Sequence, residues 1–222
     1  ARLMLRANAK LLLTGEYLVL KGAKAIALPL RFGQELTLGR GNPNKIEWDS
    51  LDPTALWFSA KFDGQGNSVQ STRSDVANFV ATLLKGAELL HPGFLSALLG
   101  KKISVRADFQ LQWGVGSSSS LISLVAQLAE VDGFRLHRLV SSGSGYDVIA
   151  AQQSHPFLFQ LVDGVPQFST VALPPFLCGH LFFAYLGNKQ ATASSVRAFL
   201  ESSSVAMQEQ VEAISAFSLQ LL

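Results

Sequence analysis

The chain has 222 residues, of which 48% are hydrophobic and 15% are charged. This length allows one large domain or two small ones, with enough apolar sequence for a sizeable core. Eighteen Lys and Arg residues against sixteen Asp and Glu give a net charge of +2, too balanced to indicate a nucleic-acid or membrane-surface partner. The single cysteine, Cys178, excludes an intrachain disulfide and a cysteine-based metal cluster. We expect a globular cytoplasmic protein without signal peptide or membrane span.

Short apolar runs separated by turn residues predict strands in the first third of the chain. The predicted strands are LLLTGEYLVL (11–20), AIALPL (25–30), QELTL (34–38) and a hairpin of KIEWDS (45–50) and LWFSAKF (56–62). Ser74 then caps a predicted helix, because apolar residues recur there at i, i+3, i+4 spacing until His91-Pro92.

The second half alternates strands and helices without a regular βαβ order. The predicted elements are a strand at 102–111, a helix at 121–130, an apolar stretch after 147, a hairpin around Asp163-Gly164, a buried strand HLFFAYLG (180–187), and helices at 193–202 and 205–222. This order predicts the α+β class with antiparallel hairpins. The cluster of Pro166, Pro174 and Pro175 indicates a domain boundary near residues 165–180.

The segment WGVGSSSS, residues 113–120, lies between the predicted strand and helix. Glycines allow a close backbone approach to an anion, and a helix N-terminus directs N–H groups and a positive dipole end at the same point. Serine hydroxyls cap helices, bind phosphate oxygens or ligate Mg²⁺. A Ser-capped helix after a Gly turn is the simpler interpretation. The segment is not a Walker loop, since no Lys follows the glycines, and it matches a Rossmann loop poorly.

Two further segments contain charged residues in apolar surroundings. Lys10 lies in the apolar run ANAKLLL, where an ammonium is costly unless it has an anionic partner or reaches solvent at the strand end. Asp147 follows the glycine-rich Gly143-Ser144-Gly145-Tyr146 and precedes an apolar stretch. It is either a helix N-cap or a carboxylate held beside a phosphate site.

Together, ANAKLLLTGEYLVL, WGVGSSSSLISL and GSGYDVIAA resemble the three segments of the GHMP kinases, the superfamily of galactokinase, homoserine kinase, mevalonate kinase and phosphomevalonate kinase. Their order and spacing are similar to those of the family across about residues 5–190. The resemblance is closest to a bacterial branch, the GYDIA type. It implies an ATP- and Mg²⁺-dependent kinase that phosphorylates a small metabolite. Metabolites of the mevalonate and isoprenoid pathway are the candidate substrates.

The resemblance also implies roles for particular residues. Asp147 matches the carboxylate that takes the proton of the substrate hydroxyl, and Lys10 matches the lysine that pairs with it. The backbone from Gly114 through Val115, Gly116, Ser117, Ser118 and Ser119 matches the ATP phosphate loop, in which Ser118 ligates Mg²⁺. Glu16, Tyr17, Ser144 and Tyr146 are implied to lie close to the substrate.

The resemblance implies a fold with two parts. Residues 1–165 would form an ATP-binding domain like domain 2 of ribosomal protein S5, and residues 166–222 would begin a ferredoxin-like domain. Three family features are missing: a His at Tyr17, a carboxylate near 134–137, and a glycine-rich third motif after Gly187. We therefore expect a truncated C-terminal domain, since the chain ends in the uncapped apolar pattern AISAFSLQLL.

Other functions have less support in the sequence. A nucleotide-binding module with impaired catalysis is the main alternative, because the third motif and the second metal ligand are absent. The four histidines, His91, His137, His155 and His180, match no metal-ligand spacing and are interpreted as core or surface residues. An RNA-binding domain like S5 is disfavoured by the near-neutral charge.

Overall fold

A computed structural model describes residues 3–177, 179–187, 192–201 and 206–222. Cys178 lies outside the described residues. The strands are β1 (Met4–Leu12), β2 (Ala25–Arg40), β3 (Ile46–Leu51), β4 (Leu56–Phe62), β5 (Ser68–Ser71), β6 (Lys101–Ala107), β7 (Phe157–Val162) and β8 (Val165–Thr170). The α-helices are α1 (Ser74–Leu90), α2 (Phe94–Leu98), α3 (Ser117–Ala129), α4 (Gly133–Val140), α5 (Tyr146–Ala150), α6 (Thr192–Glu201) and α7 (Ala206–Gln220).

All the described strands belong to one sheet, in the order β5-β4-β3-β6-β2-β7-β8, and β1 pairs with β2 beside this path. The described pairs are antiparallel except β3 with β6, which run parallel and are separated in the chain by β4, β5, α1 and α2. This mixed, mostly antiparallel arrangement confirms the predicted α+β class. The division at residue 165 stays a prediction, and β8 begins there as the partner of β7.

The main core lies between the sheet and helices α1, α3 and α4. In β3, Ile46, Trp48 and Ser50 are buried and alternate with more exposed neighbours, as expected of a strand covered on one face. Helix α1 buries a stripe at helical spacing that includes Leu83, Leu84 and Ala87. The sheet and these helices share one cluster of buried apolar side chains.

Strand β2 is a single strand of sixteen residues, although the sequence predicted two shorter ones. Both of its halves pair with β1, from Leu12 opposite Ala27 to Met4 opposite Thr37. The pairing is irregular where Asn8 lies opposite Gly33 and Lys10 lies opposite Pro29. Pairing along the whole length keeps the strand continuous, and the irregularity bends it beside Lys10.

The prediction of a strand through residues 11–20 was wrong in its second half. The chain leaves β1 after Leu12, turns at Gly15 with φ of +86°, and forms a 3₁₀ helix at Leu18–Lys21. A Cβ at Gly15 would lie 2.7 Å from that of Ala25, so the turn requires glycine.

The prediction of a buried strand at 180–187 was also wrong. Residues 181–187 form no regular element and pair with none of the described strands. Phe182 is 88% exposed and Leu186 is 86% exposed. An apolar run becomes a strand only where a neighbour accepts its backbone hydrogen bonds, and no described strand does so here.

The two predicted C-terminal helices are present as α6 and α7. Helix α7 docks on the turn after β1 through serine hydroxyls. Ser218 Oγ lies 2.7 Å from Thr14 Oγ1 and 3.0 Å from the Lys24 carbonyl oxygen, and the Lys24 N–H donates to Ser215 Oγ. In the described part of the chain, no helix is long and apolar enough to cross a membrane.

Candidate active site

Strand β1, which carries Lys10, is hydrogen-bonded both to the loop before α3 and to the end of α5. The Lys10 N–H donates to the Val115 carbonyl oxygen at 2.8 Å, which fixes the loop before α3. The Asn8 N–H donates to the Ala151 carbonyl oxygen at 2.8 Å, and Asn8 Nδ2 donates to the Gln153 carbonyl oxygen at 2.9 Å. These bonds fix the end of α5, so Lys10 has a defined position between both segments.

The glycine- and serine-rich loop (residues 114–120) is held in place by contacts with the protein core and with β2. Val115 is buried and packs with Phe109 in a small apolar cluster. Gln34, a buried side chain of β2, donates through Nε2 to the Ser117 carbonyl oxygen and to Ser120 Oγ, both at 2.6 Å. A loop whose backbone is fixed before a ligand arrives loses little entropy on binding.

The geometry of this loop fits a phosphate group. Gly114 and Gly116 have φ of +75° and +92°, and a Cβ at Gly114 would meet nothing within 4 Å, which leaves room for a ligand. Helix α3 has no side-chain cap at its N-terminus, where N–H groups and a positive dipole end favour an anion. Ser119 Oγ donates to the Gly116 carbonyl oxygen at 3.0 Å, whereas the Ser118 side chain is exposed.

Lys10 does not form the predicted ion pair with Asp147. In the described part of the chain its Nζ donates to Tyr146 Oη at 2.7 Å and lies 5.0 Å from the centre of that ring. Its side chain runs along Gly116, where a Cβ would lie 2.9 Å from Lys10 Cγ. The structure thus replaces the expected Lys–Asp pair by a Lys–Tyr hydrogen bond, because Tyr146 presents its hydroxyl to the end of the lysine.

Tyr146 is buried at the first position of α5 and has a perturbed pKa. Burial raises the pKa of its phenol well above the ordinary value of 10.0, and the nearby carboxylates of Asp147 and Glu16 raise it further. Ser144 is buried as well, and its Oγ accepts from the Tyr146 N–H at 3.4 Å. The hydroxyls of both residues therefore have partners inside the protein.

Asp147 occupies the second position of α5, after the tight turn at Gly145. Gly145 has φ of +81°, and a Cβ there would lie 2.5 Å from Phe134 Cε2, so only glycine fits. Asp147 Oδ1 accepts from the Val148 N–H at 3.0 Å. The carboxylate is half-buried and reaches the cavity described next.

A cavity of about 890 Å³ lies between the loop, α5 and the segment around residue 185, within the size range of small-molecule sites. Its lining includes Lys10, Trp113, Gly114, Gly116, Ser117, Ser118, Ser119, His137, Ser141, Ser142, Gly143, Asp147, Ala184, Tyr185, Leu186 and Val196. A second cavity of about 520 Å³ adjoins it at Phe79, Gln112, Ser117 and Ser118 and continues over Trp57 and Val76. The loop thus lies where the two chambers meet, and polar and apolar side chains line both of them.

The structure gathers most of the predicted site residues at this cavity: Lys10, Gly114, Gly116, Ser117, Ser118, Ser119 and Asp147. Val115, Glu16, Tyr17, Ser144 and Tyr146 do not line it. Val115 anchors the loop from the core, and Ser144 and Tyr146 support α5 and Lys10. The proximity of these four polar residues to a substrate stays a prediction.

The turn that carries Glu16 and Tyr17 lies beside the site. Tyr17 has φ of +60°, uncommon for a bulky residue, and its ring packs 5.5 Å from that of Phe199 in α6. Glu16 is exposed. This contact ties the turn to the C-terminal helices rather than to the cavity lining.

Sequence reasoning missed that His137, Ala184, Tyr185, Leu186 and Val196 line the cavity. His137 is buried, its Nε2 lies 3.0 Å from the Gly143 carbonyl oxygen, and its Nδ1 has no hydrogen-bond partner among the described residues. The glycine- and serine-rich run 141–147 was a signal for this wall of the cavity. No local pattern places Tyr185 or Val196 there, since only tertiary packing brings them to the loop.

The protein atoms suited to a metal ion are few. Among the described residues, no group of three or more His, Cys, Asp or Glu side chains could hold one. Asp147 supplies a carboxylate to the cavity wall, and Ser118 is one of several serines that supply a hydroxyl oxygen there. Mg²⁺ suits such a site, because it is commonly bound by one or two protein oxygens together with substrate phosphates and waters.

Comparison with family models and with curated proteins finds no match. Among solved structures, the mevalonate kinase of Methanococcus jannaschii is similar, with a TM-score of 0.64 and 14% identity over 100% of this chain and 72% of that chain. The L. major mevalonate kinase in complex with R-mevalonate gives 0.60 and 16%, over 99% and 67% of the two chains. The Streptococcus pneumoniae phosphomevalonate kinase in complex with phosphomevalonate and AMPPNP gives 0.55 and 16%, over 96% and 74%. The fold is therefore that of the GHMP kinases, and at these identities the similarity shows the fold alone.

Proposed function

We propose that this protein is an ATP- and Mg²⁺-dependent kinase that transfers the γ-phosphoryl group of ATP to a hydroxyl of a small metabolite. The observation that carries the proposal is one cavity lined by the glycine- and serine-rich loop, Lys10 and Asp147. Phosphoryl transfer needs positioning and charge neutralisation more than covalent participation by the protein. The loop and the Lys10 ammonium can supply both positioning and charge neutralisation at this cavity.

The loop and α3 bind the phosphates in this proposal. Backbone N–H groups of the first turn of α3 face the anion, and the open space at Gly114 admits it. The second chamber, over Trp57 and Val76, shares Ser117 and Ser118 with the loop and accommodates the nucleoside in this proposal. Ser118 holds Mg²⁺, which when bound neutralises the charge on the phosphate oxygens.

Asp147 and Lys10 serve the transfer itself. The bond between the γ-phosphorus and the β–γ bridging oxygen breaks, a bond to the acceptor oxygen forms, and the acceptor's proton passes to the Asp147 carboxylate. ADP leaves with the electron pair of the broken bond. The Lys10 ammonium, at the junction of the loop and α5, stabilises the negative charge on the transferred group.

The acceptor is an alcohol of the mevalonate and isoprenoid type in this proposal. It is supported by the similarity to mevalonate and phosphomevalonate kinases and by the apolar side chains of Val140, Leu186 and Val196 on the wall of the cavity that Asp147 also lines. A phosphotransfer screen with mevalonate, phosphomevalonate, homoserine and hexoses identifies the acceptor class.

Calorimetric titration with AMPPNP and Mg²⁺, together with this screen, tests the function. We expect binding and transfer by the wild type, and Lys10→Met and Asp147→Asn should each lower kcat by about 10²- to 10⁴-fold with AMPPNP affinity largely retained. Ser59→Ala is the control, since it removes a hydroxyl that donates to Asp49 on β3, outside the lining of both cavities.

Three outcomes contradict parts of the proposal. Failure to bind AMPPNP would refute the kinase function. Binding without transfer to any acceptor would favour a nucleotide-binding module instead. Near-normal turnover by Asp147→Asn would show that the carboxylate does not take the proton.

A further inference from the structure

The Lys10 side chain is fixed along its whole length. At its base, the N–H of Lys10 is bonded to the Val115 carbonyl oxygen. Its stem passes Gly116 so closely that a Cβ there would lie 2.9 Å from Cγ and 3.0 Å from Cε. At its tip, Nζ donates to Tyr146 Oη at 2.7 Å. Among the described residues, the phenol oxygen accepts the hydrogen bond that directs the ammonium, which also lies 5.0 Å from the centre of the same ring.

Tyr146 is itself held rigidly. Its side chain is 8% exposed, and its ring packs edge-on against Phe159 with the ring centres 6.4 Å apart. Its N–H donates to Ser144 Oγ. Because the ring is buried and packed against Phe159, the phenol oxygen that accepts the hydrogen bond from Lys10 has a fixed position.

The phenol is a different partner from a carboxylate. It accepts a hydrogen bond without a full negative charge, so it orients the ammonium and leaves its positive charge available to a phosphate. It also leaves Asp147 without an ion pair to Lys10 in the described part of the chain, on the wall of the cavity. The lysine and the aspartate thus remain separate groups.

We propose that Tyr146 is a positioning residue for phosphoryl transfer, whose buried hydroxyl holds the Lys10 ammonium between the glycine- and serine-rich loop and Asp147. This inference rests on the kinase function proposed above. Tyr146 acts through Lys10 and makes no contact with the cavity. It fixes the ammonium before a ligand arrives, so the lysine, with several rotatable bonds, is not reoriented during the reaction.

Tyr146→Phe removes the oxygen and keeps the ring against Phe159. We expect kcat for transfer from ATP to the acceptor found in the screen to fall roughly 10- to 100-fold, the effect of one hydrogen bond to a charged group. The KM for ATP and the AMPPNP dissociation constant should stay within about threefold of the wild type, because the loop is unchanged. A melting temperature close to that of the wild type confirms that the variant folds.

A double-mutant cycle separates positioning from a structural role. If Tyr146 acts through Lys10, adding Tyr146→Phe to Lys10→Met should leave the residual rate unchanged. If the two losses multiply, Tyr146 acts independently of Lys10 and the inference is wrong. Ser59→Ala again controls for the removal of a hydroxyl.

The outcomes distinguish this inference from the kinase function on which it rests. Wild-type turnover together with an unimpaired Tyr146→Phe variant overturns the inference and leaves the kinase function standing. A wild type that neither binds AMPPNP nor transfers phosphate overturns both. A loss of AMPPNP binding equal to the loss of kcat in Tyr146→Phe also overturns the inference, since it would show general damage to the site.

Discussion

Gly116 is the point at which the glycine- and serine-rich loop comes closest to Lys10, and replacing it with alanine tests the geometry of the site directly. Its φ is +92°, and a Cβ would lie 2.8 Å from Ser119 Oγ, 2.9 Å from Lys10 Cγ and 3.0 Å from Lys10 Cε. Real Cβ atoms rarely approach other heavy atoms so closely, so the neighbours must shift. The lysine side chain is held at both ends, since its N–H donates to Val115 and its Nζ donates to Tyr146.

The chain offers a matched control in Gly93, which precedes α2. Its φ is +94°, and a Cβ there would meet nothing within 4 Å. Gly93→Ala should therefore lower the free energy of unfolding only through backbone strain, which costs about 1–2 kcal/mol for an alanine with positive φ. Gly116→Ala should lower it by the same strain and by about 1–3 kcal/mol more, because the new Cβ crowds Ser119 and Lys10. For a domain of this size, each kcal/mol lowers Tm by roughly 2–4 °C.

Urea unfolding followed by circular dichroism gives the free energy of unfolding of both variants. We expect Gly116→Ala to be the less stable by about 1–3 kcal/mol and, because Lys10 must move away from Tyr146, to lose turnover as well. Equal destabilisation of the two variants would refute the close approach of Lys10 to the loop. So would a Gly116→Ala enzyme with wild-type turnover.

Two further predictions concern the supports of the site. Ser218→Ala should lower the free energy of unfolding by about 1–3 kcal/mol, because Thr14 and the Lys24 carbonyl lose a buried partner; an unchanged urea midpoint would contradict the docking of α7. The pKa of Tyr146 is raised in the folded state, so the stability it confers is complete below pH 10 and is lost as pH rises towards the folded-state pKa. Tyr146→Phe should therefore flatten the fall of stability with pH above about 10, measured by urea unfolding at a series of pH values; parallel curves would show that the phenol ionises normally.

The local chemistry of the site was predictable from the sequence because it depends on neighbouring residues. Glycines at positions 114 and 116, followed by four serines, indicate a turn with positive φ that leads into a helix, and the structure has both. The run from Gly143 to Asp147 likewise predicted a glycine turn before a helix, but Gly145 and not Asp147 is the N-cap, and Asp147 lies in the first turn. Local steric rules act within a few residues, so the sequence carries them.

The errors fall where a partner distant in the chain decides the outcome. The run HLFFAYLG has the composition of a strand, but its conformation depends on a neighbouring strand that the described residues do not provide. Residues 25–40 contain Pro29 and Gly33 and look interrupted, yet pairing with β1 on one side keeps them in one strand. Apolar patterning predicts burial well and pairing poorly, because pairing is a property of two segments.

The sequence by itself allowed a sizeable core within 222 residues, predicted the α+β class from the order of its elements, and singled out Lys10, the glycine- and serine-rich loop and Asp147 as the groups with chemistry to offer. Only the tertiary structure decided how they meet. It directs the Lys10 ammonium to Tyr146 rather than to Asp147, since the partner of a long side chain is set by which atom the packed helix presents within 3 Å. Composition fixes which charges a chain must accommodate, whereas three-dimensional packing fixes which group each charge contacts.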